Sequence, residues 1–337
     1  MKLTRRLLTA ALLGGAVLTA AAQSADIQSR TIKFPSASNK GHPQVIGVEK
    51  FAELVGQKSG GKLVVKSFPG GVLGPDLQVV SAMQGGTVEM NVMNASLLAG
   101  NVKDMAVFDF PFMFANTKEA DAVADGPVGR KLLDKLQERG LVGLAYWDLG
   151  FREMHTAKKP IAKADDFKGL KMRVIPTPLY VDFMTAMGAS PVPMPFTETY
   201  GALEQGAIDG MTNPLLNILD GKYNEVSKYL TMTNHMYTPQ AVIVSKKFWD
   251  KLSPTEQKIL REAAEETAVY QRKIARDEAA KVLAELKKKG MTVIELPPEE
   301  LAKMRERSKP VIDKYTKELG PIVQEMYAAV DKARSGK

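Results

Sequence analysis

Residues 172–214 read MRVIPTPLYVDFMTAMGASPVPMPFTETYGALEQGAIDGMTNP. Arg173 closes a short apolar strand signal, Phe196 sits in a proline-rich turn, and Asn213 precedes a proline after a second short helical stretch. A cation, an aromatic ring and a carboxamide thus fall at successive element ends, where α/β proteins usually place ligands. None of the three is a nucleophile. The combination suits a pocket that holds an anion without transforming it. A guanidinium stays charged at working pH and presents a planar fork that matches a carboxylate in two parallel bonds. The other reading of Arg173 is a surface arginine snorkelling from a strand end, and spacing alone leaves the two level.

Arg152 lies in WDLGFREMHT, just after Trp147 and Asp148. A second cation near the first would suit an acidic ligand, whereas pairing with Asp148 or Glu153 is the ordinary outcome for such a run. Arg152, Glu153 and His155 could also be read as an acid–base cluster. Strand alternation puts Glu153 on the face opposite Arg152, which weakens that reading. His42, His155 and His235 lack metal-ligand spacing and the chain has no cysteine, so no metal site is expected. There is no GxSxG, P-loop, HExxH or dinucleotide fingerprint, and no cofactor is expected. Asn94 ends the segment MNVMN, where a polar residue either faces a ligand crevice or caps a turn. The 17 methionines are scattered and read as core filler.

Strand and helix signals alternate around these residues, which implies an α/β fold. Strands are expected at 31–37, 63–68, 87–93, 141–147, 151–156, 170–174 and 241–245. Helices are expected at 43–58, 75–83 and 117–139. The longest helical signal runs from 254 to 289. Ser253 with Glu256 forms a capping box, Pro254 opens the helix, and Gly290 ends it. At 1.5 Å per residue it would extend roughly 54 Å, enough to cross two domains. Residues 298–334 read as charged amphipathic helix. Crossovers near Gly150 and near residues 237–239 divide the chain into 27–150 with 239–278, and 151–238 with 279–337.

Residues 1–22 read as an export signal. Lys2, Arg5 and Arg6 precede an apolar run that ends in small residues, and cleavage is expected after Ala22. The arginine pair leaves a twin-arginine route open beside the ordinary secretory one. Removing the three leader cations takes the formal charge from +8 to +5. The remaining charges are mixed and few aromatics interleave with them, so nucleic acid is not an expected partner.

Five segments carry a resemblance to a known family: HPQVIGVEKFAELV at 42–55, GGVLGPDLQVVSAMQGGTVEM at 70–90, DFKGLKMRV at 166–174, GASPVPMPFTETYGALEQGAIDGMTNP at 188–214 and TPQAVIVSKKFWDKLSPTEQKIL at 238–260. Together they resemble the periplasmic solute-binding proteins of tripartite ATP-independent periplasmic (TRAP) transporters, of the dicarboxylate-binding type. The resemblance implies a two-domain α/β periplasmic binding protein fold with a hinge, a long helix spanning both domains and no catalysis. It implies a carboxylate ligand on Arg173, with Arg152 as a second anion contact, Phe196 lining the pocket and Asn213 and Asn94 hydrogen bonding. His42 falls near an N-terminal pocket position, and Asp148 joins the expected ligand shell. Asn94 and Thr212 replace acidic residues of sialic-acid binders, which argues against that ligand. A sugar acid, a small dicarboxylate, or an aromatic or 2-oxo acid against Phe196 and Trp147 all remain open. The implied partners are the small and large membrane permease subunits, and the protein is expected to be a monomer. The competing readings are an exported lyase-like enzyme and a sensor. Mass spectrometry of the exported protein should find Gln23 at its N-terminus, and retention of Met1 would contradict the leader reading.

Overall fold

The structure, a computed structural model, describes residues 26–335. The leader expectation lies outside these residues. Among the described residues ten strands are interleaved with helices, β8 and β9 alone following without one: β1 (Arg30–Pro35), β2 (Leu63–Phe68), β3 (Met90–Asn94), β4 (Leu141–Thr156), β5 (Lys171–Val174), β6 (Ser190–Pro193), β7 (Gly210–Pro214), β8 (Tyr229–Met232), β9 (Tyr237–Ser245) and β10 (Thr292–Glu295). In the first lobe β1 and β2 pair in parallel, and β9 lies between β3 and the first part of β4. In the second lobe the strand order is β10-β8-β4-β7-β5-β6, with β5, β6 and β7 mutually parallel.

β4 belongs to both lobes. Residues 141–151 pair with β9, and Arg152–Thr156 pair with β7. Two separate strands were expected here. They fuse because Gly150 takes φ +106°, in the left-handed region, beside a register shift between Asp148 and Gly150. A bulge of this kind bends a strand without ending it, and glycine bears the conformation at little cost.

The helix expected over 117–139 is divided into Thr117–Ala124, Pro127–Lys135 and a 3-10 turn Leu136–Arg139. Pro127 excludes its predecessor from helical geometry, and Gly126 is accordingly extended (φ −81°, ψ −178°). The C-terminal segment is likewise two helices, Pro298–Leu319 and Pro321–Ser335, parted at Gly320 with φ +70°. The first packs on the second-lobe helix Pro178–Ala186. The last returns to the first lobe, where Arg334 pairs with Glu119 at 3.1 Å and Glu325 with Lys131 at 2.7 Å. The expectation that all of 279–337 joins the second lobe therefore does not describe this helix.

The long helix spans Pro254–Lys288 without a break. Its capping box is formed: Ser253 Oγ accepts from Glu256 N at 3.1 Å, and Glu256 Oε2 accepts from Ser253 N at 2.8 Å. Its first half packs Leu260, Ala263 and Ala264 against Val48, Phe51 and Trp147. Its second half packs Ala275, Val282 and Leu286 against Ile208, Met211 and Leu230. Between the two apolar stretches the helix turns polar. The Gln271 carboxamide donates to Asp148 O and accepts from Asp148 N, both at 2.8 Å. Arg272 holds Asp125 and the Tyr146 carbonyl, and Arg276 holds Asp121 and Asp148. The helix is thus clamped to β4 next to the bend. Replacing Gln271 with Leu would strand a buried N–H and a buried C=O, at about 1–3 kcal/mol each. Chemical denaturation of Gln271→Leu should show a loss of at least about 2 kcal/mol.

Candidate functional site

β5, β6 and β7 end at a common edge, and side chains at those ends face the other lobe. Arg173 is the third residue of β5, opposite Val192 and Met211. Pro193 and Pro195 cannot donate to a ladder, so the chain turns after β6. The intervening Met194 carbonyl accepts from Arg173 Nε at 3.0 Å and from Nη2 at 2.8 Å. Phe196 opens the 3-10 turn that follows, and Asn213 lies one residue before the end of β7.

Arg152 comes from β4, opposite Pro214. Its Nε donates to Thr212 Oγ1 at 3.1 Å, Nη1 to Thr238 Oγ1 at 3.3 Å, and Nη2 to Asn213 Oδ1 at 3.3 Å and to the Thr212 carbonyl. Its guanidinium carbon lies 5.4 Å from the centroid of the Tyr180 ring. The first lobe contributes Asn94, at the end of β3, and Gln240, its register partner on β9. Asn94 Oδ1 accepts from the Ser96 amide and hydroxyl, both at 3.1 Å, which turns its amide nitrogen outward.

These residues line a cleft between the lobes whose empty space, open solvent included, is ≈ 710 Å³. At its mouth the lobes touch. Asn39 N donates to Asp220 Oδ2 at 3.2 Å, and a Cβ added at Gly71 would lie 2.6 Å from Thr197 Cγ2.

The cavity is electropositive. Arg152 and Arg173 are 1% and 3% exposed, and the hydrogen-bond acceptors of both are neutral groups. Burial, and then the charge of Arg152, push the Arg173 guanidinium down to about 10. Asp109 faces Arg152, Ser96 and Tyr180, but burial pushes its carboxyl up to about 7. Asp76 faces Arg173 and Asn91, and burial pushes it up to about 6. Two buried cations beside two reluctant carboxylates leave room for an incoming anion.

Arg173, Arg152, Asn213, Phe196 and Asn94 all line this cavity. His42 lies outside it. Its Nδ1 caps the helix Pro43–Lys58 by accepting from Gln44 N at 3.0 Å, and burial pushes its pKa down. Asp148 lies on the far side of β4, in a separate hollow with Glu153, and binds Arg276 Nε at 2.6 Å. Residues four apart on a regular strand share a face, but the bulge at Gly150 shifts the parity and sends Asp148 away from Arg152. Trp147 is likewise no pocket wall. It is core, with its ring 6.2 Å from Phe34.

Sequence reading missed Asp76, Gln44, Asn217 and Gln240, which also line the cavity. Gln240 had a signal. It is an isolated polar residue in TPQAVIVS, two positions from Thr238 and so on the same strand face. Asp76 resembled ordinary helix-start chemistry and gave none.

Glu153 faces away from Arg152 and accepts from the Asn234 amide at 3.0 Å. His155 is held by Ser227 at 3.0 Å, with burial pushing its pKa down to about 3. The acid–base cluster is therefore dispersed. Two lobes enclosing a cationic cavity have the layout of a receptor for an anion.

Relatives agree with the geometry. Residues 34–318 match the DctP family, described as bacterial extracellular solute-binding protein, family 7. The chain belongs to this family of TRAP solute-binding proteins, which act in the periplasm. It is 37% identical to the C4-dicarboxylate-binding periplasmic protein DctP of Rhodobacter capsulatus, over 98% of this chain and 99% of that one. A TRAP periplasmic solute-binding protein from Ochrobactrum anthropi is 51% identical with TM-score 0.82, covering 92% of this chain and 98% of that one. The sugar acid binding protein DctPAm of Advenella mimigardefordensis, solved with galactonate, is 39% identical with TM-score 0.90, covering 91% and 100%.

Asp109 supplies a pH test. In the unfolded chain it ionises near 4, whereas in the fold it holds its proton to about 7. Between those values the folded state binds more protons, so this group removes stability as pH rises from about 4 to 7. Asp109→Asn has nothing to titrate there. Its stability relative to wild type should therefore rise from pH 4 to 7 and level off above, as read by denaturation across that range.

Proposed function

We propose that this chain captures a small organic acid, of the sugar-acid or dicarboxylate type, and delivers it to the small and large membrane subunits of a TRAP transporter. The single observation that carries the ligand reading is the pair of buried guanidinium groups at the cavity, both held by neutral acceptors. Arg173 receives the carboxylate on the part of its fork that Met194 leaves free. Arg152 sits behind, adding charge and fixing Asn213. Phe196 covers the ligand, and Asn94 reaches it from the opposite lobe. Galactonate in one relative and the C4-dicarboxylate name of another support an acid of this size.

The moving units are proposed as residues 27–150 with 239–278, and 151–238 with 279–319. A carboxylate held from both sides binds the closed form better than the open one, which is what drives closure. The contacts between Asn39 and Asp220 at the mouth support the same motion. Small-angle scattering should show a smaller radius of gyration at ligand saturation.

Removing one partner of a buried charged pair typically costs about 2–5 kcal/mol, so Arg173→Ala should weaken binding by roughly thirty-fold to several thousand-fold. Arg173→Lys keeps the charge, loses the fork, and should not restore affinity. Arg152→Ala should lose fold stability as well, because it strands acceptors on Thr212, Asn213 and Thr238. Calorimetry with galactonate and succinate, paired with thermal melts, checks all three. Wild-type affinity in Arg173→Ala would overturn the reading.

A further inference from the structure

The cavity contains more than anion-binding groups. Asp76 is the first residue of the helix Asp76–Gly85 in the first lobe, and it looks across the cleft at Arg173. An ionised carboxylate can only accept hydrogen bonds, so whatever lies against it must donate. Four other side chains lining the cavity, two from each lobe, have buried polar atoms without a partner. Two of them are donors of fixed direction. Asn94 Nδ2 is unpartnered while its oxygen is committed to Ser96, and Asn213 Nδ2 is unpartnered while its oxygen is committed to Arg152. The other two, Gln240 and Asn217, have unpartnered carbonyl oxygens; the His42 ring faces Asn217, whereas Gln240 again calls for a donor. Buried polar atoms are normally satisfied, so a group of orphans around one cavity describes the ligand's own polar atoms.

A C4-dicarboxylate meets only half of this pattern. Its two ionised ends offer acceptors to Arg173, Asn94 and Asn213 but no donor to Asp76 or Gln240. One end would also approach the Asp76 carboxylate in a half-enclosed site, where like charges repel strongly. A chain of hydroxyl groups behind a single carboxylate meets all of it, because each hydroxyl donates once and accepts twice.

We infer that Asp76 is a specificity-determining residue: it accepts hydrogen bonds from the hydroxyls of a polyhydroxylated monocarboxylate, an open-chain sugar acid, and rejects small dicarboxylates. The inference rests on Arg173 holding the carboxylate, and it is tested separately from that reading. Discrimination of this kind combines attraction for one ligand with repulsion of the other, so the ratio of affinities is the quantity to read.

The experiment is calorimetry at neutral pH on wild type, Asp76→Asn and Arg173→Ala, each with D-galactonate, D-gluconate, D-erythronate, succinate and fumarate. Wild type should bind its best sugar acid at least about tenfold more tightly than either dicarboxylate. Asp76→Asn is isosteric and replaces a half-buried side chain, so a thermal melt near that of wild type is expected. It should bind the sugar acid more weakly and the dicarboxylates no more weakly than wild type does, closing most of the gap. A dicarboxylate binding wild type as tightly as the sugar acids, or an unchanged ratio in Asp76→Asn, overturns the role of Asp76. If Arg173→Ala still abolishes binding in that case, the anion-capture reading survives alone. If no acid of either class binds wild type, both fall.

Discussion

The structure is organised around the burial of two guanidinium groups. Arg152 and Arg173 are nearly inaccessible, yet both are held by hydroxyls, a carboxamide or backbone carbonyls. Neutral acceptors hold the guanidinium groups in place and leave the charge uncompensated. A carboxylate salt bridge would have done both and closed the site to an incoming acid. The surroundings follow from this choice. The prolines on either side of Met194 free its carbonyl for Arg173, Thr212 and Thr238 supply hydroxyls for Arg152, and burial keeps Asp109 close to neutrality instead of making it a permanent counterion.

Holding charge in a cleft between two bodies requires a join that bends in one place. β4 passes through both sheets and bends at Gly150, while the long helix runs past that bend unbroken. Each half of the helix has its own apolar bed, one in each lobe. The polar stretch between them grips β4 by Gln271 and Arg276. Directional hydrogen bonds fix position there, where a greasy contact would allow sliding.

Much of this was readable beforehand because it depends on local pattern. The capping box and uninterrupted periodicity gave the long helix nearly residue for residue, and strand ends pointed to Arg173, Asn213 and Asn94. Errors arose where backbone geometry breaks the pattern. The bulge at Gly150 reverses strand parity, so Asp148 and Arg152, four apart, point to opposite sides. Glycine within a strand is itself a bulge signal, and it was present. Gly126-Pro127 split one expected helix in the same way, by a rule local to proline. Asp76 was unreadable for another reason. An acid at a helix start is ordinary in sequence, and only the approach of the second lobe brings it opposite an arginine.

The contacts at the mouth bear on time. Asn39 with Asp220, and Gly71 against Thr197, lie on the rim and can exist only while the lobes are together. Their strength is the same whichever acid is enclosed. If the lobes open and close around a solute, the cavity walls bear on how well it fits and the rim contacts on how long the cleft stays shut. Residence time and selectivity would then rest on different residues. Gly71 shows how narrow the margin is: its φ of +69° is costly for any other residue, and a methyl group there would meet the Thr197 side chain at 2.6 Å.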